Sequence, residues 1–170
     1  MMDVESVIRT YFAGEKSEAA LILLAGLVAL AVALWLWFAV REPFTRGLAA
    51  TLLLVAALGL GVGGTVYLRS DAQVRALVEQ QRVDPGRFAA EEGPRIRQVV
   101  RSFGRYRIGY AIAVIVAVVL VFAIGRPMFQ GLAVGLLILA ALGFTIDFYA
   151  EARALGYVRA LESAGALAGS

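Results

Sequence analysis

Few side chains in this chain could carry chemistry, and two missing residue types remove most reaction classes at once. The 170 residues include no cysteine and no histidine. Thiol nucleophiles, disulfides, imidazole bases and the usual zinc or haem ligands are therefore excluded. The sequence also lacks a glycine-rich phosphate loop, a GxSxG motif and paired aspartates within an apolar run. We expect no catalytic residue, no metal site and no cofactor.

Asp147 is the one acidic residue inside a long apolar run. An ionisable group at membrane depth costs free energy, and such groups commonly relay protons or bind cations. Asp147 is therefore the candidate residue of an ion pathway. About one helical turn separates it from Glu151 and the polar tail, so a structural role at the membrane surface is the alternative. In that role it would form a hydrogen bond at the membrane surface or pair with Arg69 or Arg107 from a neighbouring helix.

Arginines in the polar segment between residues 69 and 107 form the second candidate site. Arg95, Arg101 and Arg105 lie largely off the apolar face of a predicted amphipathic helix. Each basic residue near an anionic membrane surface contributes about 1 kcal/mol of attraction, so these arginines are predicted to contact anionic lipid headgroups or a protein partner. The alternative is the usual excess of basic residues beside membrane spans, which needs no ligand. No nucleic acid is expected, because no binding motif accompanies the charge.

The elements that must position these residues are apolar helices. The chain is 61% hydrophobic and 17% charged, against about 25% charged in ordinary globular proteins. Its apolar residues are concentrated in four uninterrupted runs, each close to the roughly 20 residues that a helix needs to cross a bilayer. We predict an all-α integral membrane protein with spans at about 19–40, 47–68, 107–125 and 128–150.

The four spans are related by an internal repeat. Residues 29–59 match residues 113–143 at 16 of 31 positions with a constant offset of 84, about three times the number that such an apolar alphabet gives by chance. This pattern predicts a tandem duplication of a helical hairpin. Repeat 1 covers residues 1–84 and begins with an amphipathic helix. Repeat 2 covers residues 85–170, with an amphipathic helix at about 85–106 and a helical C-terminal tail.

Glycines recur at intervals of four residues in the second and fourth spans, as Gly59 with Gly63 and Gly131 with Gly135. Small residues at this spacing allow helix backbones to approach closely, so these four are predicted to pack helices together. A dimerisation face or a flexible, unwound ion site in the glycine-rich second span is the alternative.

Local signals predict breaks in the polar helices. Gly14 is predicted to end the first amphipathic helix, and Ser70 to cap a new helix starting near residue 71. Pro85 marks another helix start. Pro94 is predicted to end that helix and begin the next one.

The distribution of Lys and Arg predicts the orientation of the chain. Thirteen of the 16 basic residues lie in the N-terminal, central and C-terminal polar segments, and three lie in the two short loops. The positive-inside rule then places both termini and the central segment in the cytoplasm, in a multi-pass protein of the inner membrane. Both repeats would cross the membrane in the same direction.

Three functions are compatible with these features. We expect a non-enzymatic accessory or scaffold module that engages lipids or protein partners through its basic cytoplasmic helices. The alternative is a homo-oligomeric channel or a proton or cation pathway that uses Asp147 and the glycine-rich second span. A membrane-embedded lipid enzyme is the third class, and it would require Asp147 or the Glu91-Glu92 pair to face arginines across a cleft.

Overall fold

The computed structural model describes residues 3–167 of the chain, and that part of it is built from four long helices. Helix α1 covers Val4–Trp35 and continues as a π-helical turn over Leu36–Val40; α2 covers Pro43–Val83; α3 covers Pro85–Val119 and continues as a π-helical turn over Leu120–Ile124; α4 covers Pro127–Ser163. Each is long and apolar enough to cross a membrane. The predicted four apolar helices are therefore confirmed.

Proline sets the start of three of the four helices. Pro43, Pro85 and Pro127 each occupy the first turn of a helix, where the missing N–H removes no hydrogen bond and the fixed φ suits the helix. The predicted start at Pro85 is confirmed. A single residue, Asp84, separates α2 from α3, and its carboxylate accepts a hydrogen bond from the backbone N–H of Arg87 at 2.9 Å.

The two turns at the other end of the bundle share one construction. In each, a π-helical turn ends at a residue with a left-handed backbone, Arg41 with φ of 61° and Gly125 with φ of 64°. Glycine adopts this conformation without steric cost, whereas another residue loses about 1–2 kcal/mol. The side chain of Arg41 offsets part of that cost, since its Nε donates a hydrogen bond to the carbonyl of Phe38 at 2.6 Å.

Helices α2 and α4 run parallel and touch backbone to backbone at Gly47 and Gly131. A Cβ atom at Gly47 would overlap the carbonyl oxygen of Met128, and one at Gly131 would overlap the carbonyl oxygen of Phe44. Because Phe44 and Met128 are themselves 84 residues apart, the two contacts are mirrored across the crossing. One turn further along, Thr51 packs on Gly135, which has room for the threonine only because it lacks a side chain.

Helices α1 and α2 form an antiparallel hairpin through a second set of glycines. A Cβ atom at Gly59 would lie 3.0 Å from Cα of Gly26, and one at Gly63 would lie 3.0 Å from the carbonyl oxygen of Ala19. The glycine-rich part of α2 is thus an unbroken helix in contact with α1. All four glycines that were predicted to pack helices lie at contacts between helices of the same chain.

The predicted breaks at Gly14, Ser70 and Pro94 are wrong, because α1, α2 and α3 run through them. Ser70 does not cap a helix; its hydroxyl donates back to the carbonyl of Val66 at 2.7 Å, a bond that serine makes within helices. Pro94 lies between two buried positions of α3, Gly93 and Ile96. Packing of these segments into the bundle outweighs the local signals.

The best-packed core lies in the polar ends of the helices, outside the predicted spans. Its fully buried members include Ile8, Phe12, Phe88, Ile96 and Leu161. The apolar ends are different: from Ile108 to the end of α3 at Val119, Ala117 is the one buried residue, and the large aliphatic side chains there are exposed. α1 packs on α2, α2 on α4 and α4 on α3, whereas α1 and α4 meet loosely.

We expect Gly47→Leu and Gly131→Leu to destabilise the fold to a similar extent, by at least about 1–3 kcal/mol, because each side chain would force the α2–α4 crossing apart. Thermal unfolding in mild detergent, followed by circular dichroism, measures the effect. Gly61→Leu is the matched control: no atom outside its own stretch of helix lies within 4 Å of its Cβ position, so this variant should not destabilise the fold. Equal behaviour of all three variants would contradict the crossing.

Candidate functional site

A polar chamber lies between the four helices at the level where their apolar ends begin. Its volume is about 330 Å³. Six charged side chains line it, three acidic and three basic: Glu15, Glu18, Asp147, Arg69, Arg95 and Arg153. Because the charges are equal in number, the lining is formally neutral when all six groups are ionised. The chamber therefore favours a ligand that offers both a donor and an acceptor over a simple anion or cation.

Hydrogen bonding among these groups is incomplete. Arg69 Nη2 lies 3.7 Å from Glu15 Oε1, and Arg153 Nη2 donates to Glu18 Oε2. Two buried atoms, Glu15 Oε2 and Arg153 Nε, have no hydrogen-bond partner among residues 3–167. Burial raises the pKa of the Glu15 carboxyl above its ordinary value, despite the neighbouring arginines. An unpaired acceptor and an unpaired donor thus line the same chamber.

Asp147 faces the chamber and is held by a tyrosine. Tyr110 Oη donates a hydrogen bond to Asp147 Oδ2 at 2.7 Å. Arg107, one of the two partners considered from the sequence, instead pairs with Glu151 at 3.0 Å. Gly143 makes room for the tyrosine ring, since a Cβ atom there would lie 2.5 Å from Tyr110 Cε1. The sequence analysis missed this contact.

The constant offset of 84 residues could have identified Tyr110 as a candidate site residue. Tyr110 stands where the first hairpin has Gly26, and Asp147 stands where it has Gly63. In the first hairpin both glycines lie at the tight α1–α2 contact. In the second, the corresponding positions hold the two members of a hydrogen-bonded pair. Glycines at these two positions in one hairpin and polar side chains in the other mark a place where the two hairpins differ.

Glu92 carries a second polar network, which is complete. Its side chain is 1% exposed and accepts two hydrogen bonds from Arg95, from Nε at 2.5 Å and from Nη2 at 2.6 Å. Tyr157 Oη donates a third at 3.1 Å. From the sequence, Glu91 and Glu92 together were candidate acidic residues of a membrane-embedded lipid enzyme. Glu91 is exposed, whereas Glu92 is buried and fully engaged.

Two tyrosines complete the surroundings of Glu92. The rings of Tyr11 and Tyr157 stack with centroids 4.3 Å apart. Burial raises the pKa of Tyr11 to about 12, and burial beside Glu92 raises the pKa of Tyr157 well above its usual range. Both phenols therefore stay neutral at physiological pH, and Tyr157 acts as a hydrogen-bond donor to Glu92.

The three arginines predicted to contact lipid are divided by the structure. Arg95 turns inward to Glu92, whereas Arg101 and Arg105 are exposed. Arg105 donates to Ser102 at 3.0 Å, and neither Arg101 nor Arg105 pairs with a carboxylate among residues 3–167. Helical geometry explains the division, because residues four apart share a face and residue 95 lies about 240° around the helix from residue 101.

No group of three metal-ligating side chains is placed to hold a metal ion in the part of the chain that the structure describes. The chain matches no protein-family model, no curated protein and no solved structure. The geometry of the chamber, the Glu92 network and the exposed arginines is therefore the basis on which function is inferred.

We expect Arg95→Leu to destabilise the protein by up to about 3–5 kcal/mol, since it leaves the Glu92 carboxylate buried without its charge partner. The double variant Glu92→Leu/Arg95→Leu should recover much of that loss, because no buried charge remains. Unfolding free energies of the two single variants and the double variant give the coupling energy. Arg101→Leu serves as the exposed control, with an effect within about 0.5 kcal/mol; additive losses at residues 92 and 95 would refute the pairing.

Proposed function

We propose that this chain is a four-span integral protein of the inner membrane, with both termini and the α2–α3 turn in the cytoplasm. Three features support the proposal. The apolar ends of the helices expose a belt of large aliphatic side chains that would require lipid. Nearly all ion pairs lie at the opposite, polar ends. Thirteen basic residues lie on the side of the termini and three on the other.

We further propose that the two hairpins are tandem copies related by a two-fold axis along the membrane normal. Both π-helical turns begin and end at positions 84 residues apart. The mirrored contacts at Gly47 and Gly131 are the close crossing expected on such an axis. Alanines buried at matched positions add support: Ala33 and Ala117, Ala49 and Ala133, Ala56 and Ala140.

The function that the geometry supports best is a non-enzymatic accessory or scaffold module that engages anionic lipid headgroups on the cytoplasmic side. The carrying observation is the exposure of Arg101 and Arg105, without carboxylate partners in the described chain, about two turns and one turn before the apolar end of α3 begins at Ile108. At that level they would lie among lipid headgroups. Each would then contribute about 1 kcal/mol of attraction.

A proton or cation pathway is the second candidate, and the chamber is the observation that favours it. Asp147 with Tyr110, and Glu15 with its raised pKa, are groups that could exchange protons. Such a pathway would run within one chain through the chamber, because α2 is continuous and packs on α1. Beyond the chamber, Thr51 is the one buried polar side chain among the apolar ends of the described helices. The accessory module is therefore favoured.

The absence of cysteine permits a direct test of lipid enrichment. Gly104→Cys, at a position with open space around it, provides one site for a fluorescent donor. In vesicles that contain an anionic acceptor lipid, Arg101→Gln/Arg105→Gln should lower energy transfer, and added salt should lower it in the parent. Arg46→Gln/Arg126→Gln, which removes two charges on the opposite side, should leave it unchanged. If the Arg101→Gln/Arg105→Gln variant shows the same energy transfer as the parent, the proposed contact with anionic lipid is wrong.

Proton and cation flux in vesicles tests the second candidate. Wild-type protein, reconstituted and checked for folding, should show no flux above protein-free vesicles, and Asp147→Asn should behave identically. Tyr110→Phe is a companion variant that keeps the aspartate but removes its hydrogen bond. Flux that is present in the wild type and lost in Asp147→Asn would establish a conducting protein and overturn the accessory module.

A further inference from the structure

A continuous groove runs along the surface between α1 and α4, where the two helices meet loosely. Three adjoining cavities form it, with volumes of about 530, 430 and 440 Å³. The first two share Gly14 and Arg153, and the second and third share Leu21 and Ala25. The groove therefore extends without interruption from the polar ends of the helices into their apolar ends.

The part of the groove that lies along the apolar ends of the helices, here called the apolar arm, has the length of one bilayer leaflet. Its lining includes Leu21, Leu24, Ala25, Val28, Leu52 and Leu142. From Leu21 to Val32 the rise along α1 is about 16 Å, close to half of the roughly 30 Å hydrocarbon core of a bilayer. In the membrane orientation of the proposed function, on which this inference rests, the arm follows the cytoplasmic leaflet. An acyl chain is the molecule of that length and chemistry.

The polar end of the groove carries charged side chains at the level where the first apolar run begins. Glu18 and Arg153, which bond to each other, line both the groove and the chamber. The unpaired Arg153 Nε belongs to this pair. The unpaired Glu15 Oε2 lies in the chamber, whose lining shares Glu18 and Arg153 with the groove. Gly14 allows the arginine to lie across the groove, since a Cβ atom there would be 2.8 Å from Arg153 Cδ.

We propose that the α1–α4 groove binds one zwitterionic phospholipid whose headgroup carries a primary ammonium. The phosphate would bind Arg153, the ammonium would donate to Glu18 and Glu15, and one acyl chain would fill the apolar arm. An anionic lipid fits less well, because its net charge would lie beside Glu18 without compensation. A quaternary ammonium headgroup has no N–H to donate to the free Glu15 oxygen.

The test uses the full chain, purified in mild detergent and stripped of lipid, in titrations followed by native mass spectrometry. The probes are phosphatidylethanolamine, phosphatidylcholine and phosphatidylglycerol with identical acyl chains. Phosphatidylethanolamine should bind about tenfold more tightly than phosphatidylcholine, as expected for one charged hydrogen bond. Glu15→Gln and Glu18→Gln should each reduce this preference, and the double variant should bring the two affinities together.

Ala25→Phe keeps the proposal testable if Glu18→Gln loosens the fold. Ala25 is exposed and lines the apolar arm, so a phenyl ring there should lower the affinity for phosphatidylethanolamine by about tenfold or more. Ala20→Phe, exposed on another face of α1 and absent from the groove lining, should bind like the wild type. Equal wild-type affinities for the ethanolamine and choline lipids, or full binding by Ala25→Phe, would overturn the proposal.

Two further outcomes separate this site from the proposed function. Arg101→Gln/Arg105→Gln should bind phosphatidylethanolamine with the affinity of the wild type, because neither residue lines the groove. Loss of that lipid in this variant would place binding at the surface arginines and overturn the groove. A dimer in which a second copy covers α1 and α4 and excludes lipid would overturn it as well. Both results leave the energy-transfer measurement of anionic lipid free to succeed or fail on its own.

Discussion

The contact between Gly47 and Gly131 is the constraint on which the rest of the bundle depends. It brings the backbones of two parallel helices together and fixes the register of α2 against α4. With those helices in register, α1 packs on the outer side of α2 and α3 on the outer side of α4. α1 and α4 are then left to meet along a loose seam. The groove lies on that seam, and the chamber, which shares Glu18 and Arg153 with it, is lined by all four helices.

Two polar networks near the seam differ in whether their hydrogen bonds are complete. Around Glu92 the carboxylate is matched by Arg95 and Tyr157, and a satisfied buried network of this kind gives rigidity and a unique packing. In the chamber, Glu15 and Arg153 each keep a buried atom without a partner in the described chain. Such atoms cost free energy when nothing binds them. The complete network fits a structural role, and the incomplete one supports a ligand site.

One difference between the proposed copies bears on the site. At the apolar turns the two hairpins keep the same π-helical construction, and at the α2–α4 crossing Gly47 and Gly131 make matching contacts. At the start of the apolar ends they differ, since Gly26 and Gly63 of the first hairpin correspond in sequence to Tyr110 and Asp147 of the second. In this proposal one copy retains close glycine packing, while the other gives up that packing for a hydrogen-bonded pair that faces the chamber. A duplicated hairpin can in this way keep one half as a scaffold while the other acquires a polar site.

The sequence by itself determined that the chain has four long apolar helices and that one of them begins at Pro85, because hydropathy and proline act locally and require no knowledge of neighbours. It also indicated which glycines pack helices. Local signals failed at Gly14, Ser70 and Pro94, because packing of neighbouring residues such as Phe12 and Ile96 into the bundle outweighs a preference for a break. Only the tertiary structure decided that Arg95 turns inward while Arg101 and Arg105 stay outside, and that Tyr110 holds Asp147. Both contacts depend on which residues of a neighbouring segment lie next to the side chain. The periodicity of one helix carries no information about those neighbours.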